Sequence, residues 1–300
     1  GKDAHERMHR LLDPVWDESF RVLTPGGFVC INIGDATRSV DGSFALYPNH
    51  ARVLQHLSQS GFTILPDILW RKQTNAPNKF MGSGMLPAGA YVTLEHEYVL
   101  VLRKGGKRIF ASDAEKQNRR ESAMFWEERN NWFSDIWFDL KGTGQGLENK
   151  AMRQRSGAFP FELAWRLIHM YSVKQDLVLD PFLGTGTTTS AAMAAARNSI
   201  GYEIDSSLST AIQTAAESSV LIGRQIIKTR LDRHIGFVRE RTADKKTVKH
   251  TNSPYGFPVI TAQEKELLFS LPEKINVKDD RQIVTYSKKP PEKWQGGLTA

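Results

Sequence analysis

The stretch Asp180-Pro181-Phe182-Leu183-Gly184-Thr185-Gly186-Thr187-Thr188 constrains this chain more than any other. The apolar run Asp176 to Leu179 before it suits a buried parallel strand, and the small residues Thr187 to Ala196 after it are compatible with a helix. The segment reads as strand, tight turn and helix. Gly184 and Gly186 let the turn bend without a Cβ penalty and bring backbone N–H groups close to a ligand, while the helix start adds a partial positive charge. A second strand is expected from Ser199 to Ile204. Its Glu203 lies 19 positions after Gly184, where a carboxylate can accept hydrogen bonds from two ribose hydroxyls, and Asp205 is a second candidate for that role. A nucleotide-like ligand is the expectation.

Dehydrogenases share this physics, and three details separate them. The third glycine of a dinucleotide fingerprint, due three residues after Gly186, is replaced by Thr189. No Gly-Lys-Ser/Thr follows, which removes a phosphate-binding Walker loop. Asp180 at the strand end would repel a pyrophosphate but accept a bond from a ligand amine, which suits an amino-acid moiety. With these features, DPFLGTGTT followed by the IGYE strand resembles motifs I and II of S-adenosylmethionine-dependent DNA amino-methyltransferases, in the permuted order of the β group. RVLTPGGFVCINIGD, LPDILWRK and LEHEYVLVLRKGG look like that family's fifth, sixth and seventh strands.

The resemblance implies an α/β fold, a Rossmann-like sheet that is mostly parallel with one antiparallel strand, carrying an inserted recognition region. S-adenosylmethionine is the implied cofactor, held by Asp180, Phe182, Gly184, Gly186, Thr187, Thr188, Glu203 and Asp205. Arg153 to Phe161 resembles motif X, with Phe159 beside the methionine end of the cofactor. Four segments follow: 1–104 as the second half of the sheet, 105–155 as the recognition region, 156–222 as the cofactor half, and 223–300 as a basic extension. The family's catalytic tetrapeptide, Ser/Asp-Pro-Pro-Tyr/Phe, is not found. It is expected upstream of residue 1 with the third and fourth strands, so no catalytic residue is named and the chain by itself is expected to be inactive. Asn252-Ser253-Pro254-Tyr255-Gly256 has one proline and no buried strand before it, and reads as a turn.

The implied partner is double-stranded DNA, with a cognate restriction endonuclease acting separately. The net charge of +7 and pI near 9.4 suit a polyanion. Nine Lys/Arg against three acids fall between Arg224 and His250, as a solvated helix face or as a phosphate-binding surface through Lys245, Lys246 and Lys249. The loop after Trp70 offers Lys72, Asn75, Asn78 and Lys79 to phosphates or base edges. Residues 107–155 mix Arg119, Arg120 and Arg129 with Phe125, Trp126, Trp132, Phe133, Trp137 and Phe138, either to wedge DNA or as the core of the insert. The INIGDATR and LYPNH surroundings look closer to cytosine-N4 members, with adenine N6 the alternative. A nicotinamide oxidoreductase and a non-catalytic cofactor- and DNA-binding remnant are the competing readings.

Among the remaining elements, helices are expected at His5 to Leu23, with Met8, Leu11, Leu12, Val15, Trp16, Phe20 and Leu23 on one face, at Pro48 to Ser60, Phe161 to Met170 and Ser206 to Val220. Strands are expected at Phe28 to Ile33, Phe62 to Trp70 and Leu94 to Arg103, and a capping box at Thr261-Ala262-Gln263-Glu264 opens a short helix ending near Leu271. The single cysteine, Cys30, sits in an apolar run as a buried filler, which excludes an intramolecular disulfide, a cysteine-rich zinc site and cysteine-based methylation of cytosine carbon 5. No metal site is expected. With no signal peptide and no apolar run near the roughly 20 residues that span a bilayer, the expected setting is cytoplasmic.

Overall fold

The computed structural model describes residues 1–72, 81–141, 159–278 and 281–287. The chain divides into two compact units, Gly1–Ile109 with Ser134–Gly142, and Phe110–Phe133 with Thr143–Ala300.

The first unit contains α1 (Lys2–Val22), β1 (Phe28–Ile33), the hairpin of β2 (Ala36–Val40) and β3 (Ser43–Tyr47), and α2 (Asn49–Gln59). Then come β4 (Phe62–Ile64), β5 (Ile68–Arg71), the short pair β6 (Met81–Gly82) and β7 (Ala90–Tyr91), β8 (His96–Lys104) and β9 (Ile136–Trp137). The sheet order is β1-β8-β5-β9, with β4 also on β8. β8 runs antiparallel to β1, β4 and β5, while β5 and β9 are parallel. With β1, β5 and β8 as fifth, sixth and seventh strands, the seventh is the antiparallel one and lies between the other two.

The expected strand from Phe62 to Trp70 is two strands. Pro66 cannot donate to a ladder, and Asp67 turns its carboxylate onto the Val101 N–H at 3.3 Å, which interrupts the ladder on β8 between β4 and β5. Trp16, Ile31, Val53, Leu57, Phe62, Leu100 and Leu102 form the core of this unit. The apolar stripe of α1 is narrower than expected: Leu12, Trp16, Phe20 and Leu23 face this core, whereas Leu11 is 75% exposed. Packing in β1 pushes the Cys30 thiol up to about 12, so it is no nucleophile at neutral pH.

The second unit contains α3 (Asp113–Glu121), α4 (Trp126–Trp132), α5 (Phe161–Tyr171), β10 (Leu177–Asp180), α6 (Thr187–Ala194), β11 (Asn198–Gly201) and α7 (Ser209–Ala243), followed by β12 (His250–Thr251), β13 (Pro258–Val259), β14 (Leu271–Lys278) and β15 (Arg281–Ser287). β10 and β11 are parallel. Trp165 and Ile168 of α5 pack on Ala191, Ala192, Ala194 and Ala195, whose lack of bulk lets α6 approach closely. A second cluster joins Phe125 to Ile227, Leu231 and Ile235 of α7 and to Phe257, Val259, Leu267 and Phe269.

Three expectations change here. β11 stops at Gly201, not Ile204, because the Tyr202 N–H and C=O turn to Asp180 and Leu183. The helix expected to end at Val220 runs to Ala243, since Ile227, Leu231, Ile235 and Val238 keep one stripe buried across the 222/223 boundary. After the Thr261–Glu264 capping box only a 3₁₀ turn, Ala262–Glu264, forms, and Leu271 opens a strand instead of closing a helix. Asn252 is fully buried with Nδ2 donating to Glu264 O and Leu267 O, so Asn252 to Gly256 is a structural turn. Phe125, Trp132 and Trp137 are buried as core, and no helix among the described residues is long and apolar enough to cross a membrane.

Candidate functional site

The first half of the Asp180–Thr188 turn is stitched to the residues at the end of β11. Asp180 Oδ1 accepts the Phe182 N–H at 3.0 Å and closes the turn. Leu183 N–H donates to Tyr202 O at 2.9 Å, and Tyr202 N–H to Asp180 O at 2.9 Å. Gly201 permits this: a Cβ there would lie 2.6 Å from Leu183 Cδ2. The two motif glycines do different work. At Gly186, φ is +86° and a Cβ would sit 3.2 Å from Ile212 Cα, so its bareness lets α6 meet α7. At Gly184, φ is +57° and a Cβ would meet only Phe182 O at 3.9 Å, so the space above that backbone is open.

Glu203 faces that open backbone. Its Oε2 accepts the Gly184 N–H at 2.7 Å and its Oε1 the Asp205 N–H at 2.8 Å. A carboxylate fixed at both oxygens by backbone donors keeps its remaining lone pairs for two hydroxyl donors from a ligand. Asp205 is engaged differently, with Oδ1 accepting from Ser207 N–H at 3.0 Å to cap the 3₁₀ turn Ser206–Leu208, which leaves Glu203 as the better-placed ribose acceptor. Thr187 and Thr188 open α6 behind Gly186, which has no side chain to cap their amides.

Around the carboxylate, Phe182 is 51% exposed, Tyr202 64% and Ile204 101%. Ile204 escaped the sequence reading; a bulky apolar residue next to the acid, where the strand was expected to continue, was the signal available. Between Leu177 and Leu208 the sole cation is Arg197, and it is buried and bonded to Ser172 and Ala195 O. The arrangement therefore suits a nucleoside with free hydroxyls and an apolar base, not a phosphate ester. Phe159 is half-buried against the Trp132–Trp165 cluster, and the rest of motif X, Arg153 to Ala158, lies outside the described residues.

The family N6_N4_Mtase, DNA methylase, matches residues 1–214. The chain belongs to this DNA methylase family. Type II methyltransferase M.MthZI of Methanothermobacter thermautotrophicus is 50% identical over 272 residues, which cover 91% of this chain and 75% of that protein. Type II methyltransferase M.MjaI of Methanocaldococcus jannaschii is 52% identical over 206 residues, 69% of this chain and 66% of that protein. Among solved structures, TTHA0409, a putative DNA modification methylase from Thermus thermophilus complexed with S-adenosyl-L-methionine, superposes with a TM-score of 0.59 at 31% identity, covering 71% of this chain and 78% of that one.

The basic residues expected at DNA are placed unevenly. Lys72 donates to Glu97 Oε1 at 2.8 Å and lies 5.4 Å from the Trp70 ring; Asn75, Asn78 and Lys79 lie outside the described residues. Arg120 bonds to Glu266 and Gln117, while Arg119 and Arg129 lie over the rings of Phe110 and Phe133 at 4.8 and 5.4 Å. Lys245, Lys246 and Lys249 are exposed beyond the end of α7, with Lys246 3.0 Å from Asp244.

Proposed function

We propose that this chain binds S-adenosylmethionine in the Gly184–Glu203 cradle as the cofactor-binding part of an enzyme that methylates an exocyclic amine of a base flipped out of duplex DNA, with cytosine N4 as the acceptor. The observation that carries the reading is Glu203, clamped by two backbone N–H groups beside the open face of Gly184. Its likeness to a methylase whose structure holds S-adenosyl-L-methionine supports the same cofactor here. When bound, that cofactor supplies an electrophilic methyl group on a sulfonium. Glu203 accepts the ribose hydroxyls, Phe182 and Ile204 border the adenine, Asp180 accepts from the amino-acid nitrogen, and the start of α6 at Thr187 and Thr188 favours its carboxylate. Phe159 borders the methionine end. A cognate endonuclease acting separately on the same sequence fits the type II relatives.

The acceptor amine has its lone pair delocalised into the ring and must leave the stack before it can be aligned for transfer. Phosphate contacts are assigned to Lys245, Lys246 and Lys249, with Arg119 and Arg129 as further candidates. The cytosine preference rests on the INIGDATR and LYPNH surroundings. Calorimetry with S-adenosylmethionine and with NADH tests the cofactor, and binding of NADH alone overturns it. Tritiated methyl transfer to duplex DNA should give background counts with this chain alone, and mass spectrometry of nucleosides from DNA methylated by the enzyme carrying the catalytic tetrapeptide tests the rest. N4-methylcytosine is the expected product; N6-methyladenine would move the assignment to the other amine.

A further inference from the structure

One helical turn of α1 and the first residue of α2 bring three donor atoms into a triangle. His5 Nε2 and His9 Nε2 are 3.1 Å apart, and each lies 3.0 Å from Asn49 Oδ1. The amide cannot be turned round without loss, because Asn49 Nδ2 donates to Gly34 O at 2.8 Å. Three such contacts cannot all be hydrogen bonds. An imidazole nitrogen facing Oδ1 must carry a proton to be attracted, whereas the contact between the two nitrogens needs one of them bare. Every choice of tautomers therefore sets two N–H groups, or two lone pairs, against each other. A cation that accepts from all three atoms removes the conflict.

We propose that His5, His9 and Asn49 form a binding site for a divalent first-row transition-metal ion. At metal–donor distances of about 2.1 Å, edges of this length subtend roughly 90–95° at the ion, one face of an octahedron, with the other positions open to water. Imidazole nitrogen suits such ions, and the positions four apart on a helix put both rings on one side. His9 is fully buried. His5 is half-buried, which gives an ion access. The bond from Asn49 to Gly34 O orients the oxygen ligand as outer partners do in metal sites. Bound there, the ion would pin α1 to the start of α2.

A second cluster, Glu127, His234 and Glu264, also brings donor atoms within 4.8 Å of one another. Most of its atoms are otherwise committed: both His234 nitrogens lie at 2.7–2.8 Å from Glu127 Oε1 and Pro258 O, and Glu264 accepts from Trp126 and Thr261, while Glu127 Oε2 alone is left without a hydrogen-bond partner within the cluster. It serves as the control. The metal-stripped full chain is titrated with Zn²⁺ by calorimetry, with Co²⁺ as optical reporter of the ligand field. One ion per chain is expected, with affinity weakened by more than roughly tenfold in His5→Gln, a loss at least as large as removal of an outer partner produces. Glu127→Gln should leave that affinity unchanged. Because His9→Gln could unfold the buried turn, the half-buried His5 carries the test, with circular dichroism confirming its fold. Absence of binding, binding unchanged in His5→Gln, or binding lost in Glu127→Gln instead each overturns the assignment.

Discussion

Replacing Glu203 separates two roles that the structure joins. Its carboxylate braces the motif turn through Gly184 and its own strand end through Asp205, at 2.7 and 2.8 Å, and in the proposed function it also accepts the ribose hydroxyls. Glu203→Gln keeps the shape but turns an NH₂ group against one of the two backbone N–H donors; Glu203→Ala removes every bond. Each charge-assisted bond contributes about 1.5–3 kcal/mol. Water replaces part of the ribose interaction in the alanine variant, so the low end for two ligand bonds, about 3 kcal/mol or roughly a hundredfold in Kd, is the expected loss. The bracing bonds are half-exposed, and their removal should cost about 1–2 kcal/mol of folding stability. Calorimetry with S-adenosylhomocysteine reads the first quantity, and urea unfolding without ligand reads the second. If stability falls while Kd stays within about twofold, Glu203 is a loop brace only and the ribose role is refuted.

Three further expectations follow from the same geometry. Arg230 pairs with Glu128 at 2.6 and 2.8 Å, with side chains 9% and 12% exposed; Arg230→Met should cost about 3–5 kcal/mol in urea unfolding, and Arg230→Met with Glu128→Leu should recover part of it, whereas equal loss in both would deny the unpaired-charge account. Changing Lys245, Lys246 and Lys249 together to Ala should reduce the salt slope of DNA binding by up to about 3, and an unaltered slope would assign them to a solvated surface. Arg52, bonded to the Glu6 carboxylate, holds it at about 2 against an ordinary 4.5. A carboxyl depressed on folding stabilises above its unfolded pKa and loses that contribution as pH falls from 4.5 to about 2, so Arg52→Gln should flatten the melting temperature against pH across that window. An unchanged acid limb would exclude this pair as its source.

The cradle was legible because its causes are local. A strand end, two glycines at fixed spacing and an acid 19 residues on each act through the backbone of a few neighbours, and the structure brings Gly184 and Glu203 into direct contact. What escaped depends on chain brought from elsewhere. The break at Pro66 and Asp67 is fixed by Val101, from a strand about 30 residues later, and Ile204 leaves the ladder because Tyr202 turns to the motif loop. His5 and His9 sit one turn apart on a helix, a spacing that means little until Asn49, 40 residues away, supplies the third donor.

The basic stretch from Arg224 to His250 shows why counting charges in a window overstates a DNA surface. Of its nine cations, Arg230 is buried on Glu128, Arg224 donates to Pro272 O and Glu273 O, Arg241 lies 5.4 Å from the Trp126 ring, and Lys246 is 3.0 Å from Asp244. Lys228, Arg233, Arg239, Lys245 and Lys249 remain as exposed groups on or beyond α7. Lys228 and Arg239 are eleven positions apart, about three helical turns, and so share one face of the helix. A phosphate backbone that followed this face would meet those two before reaching the lysines past Ala243. Lys228→Ala with Arg239→Ala should then lower the salt slope by up to about 2 more than the lysine triple does alone. If the slope with all five changed equals that of the triple, the α7 face is a solvated one and the DNA track lies elsewhere.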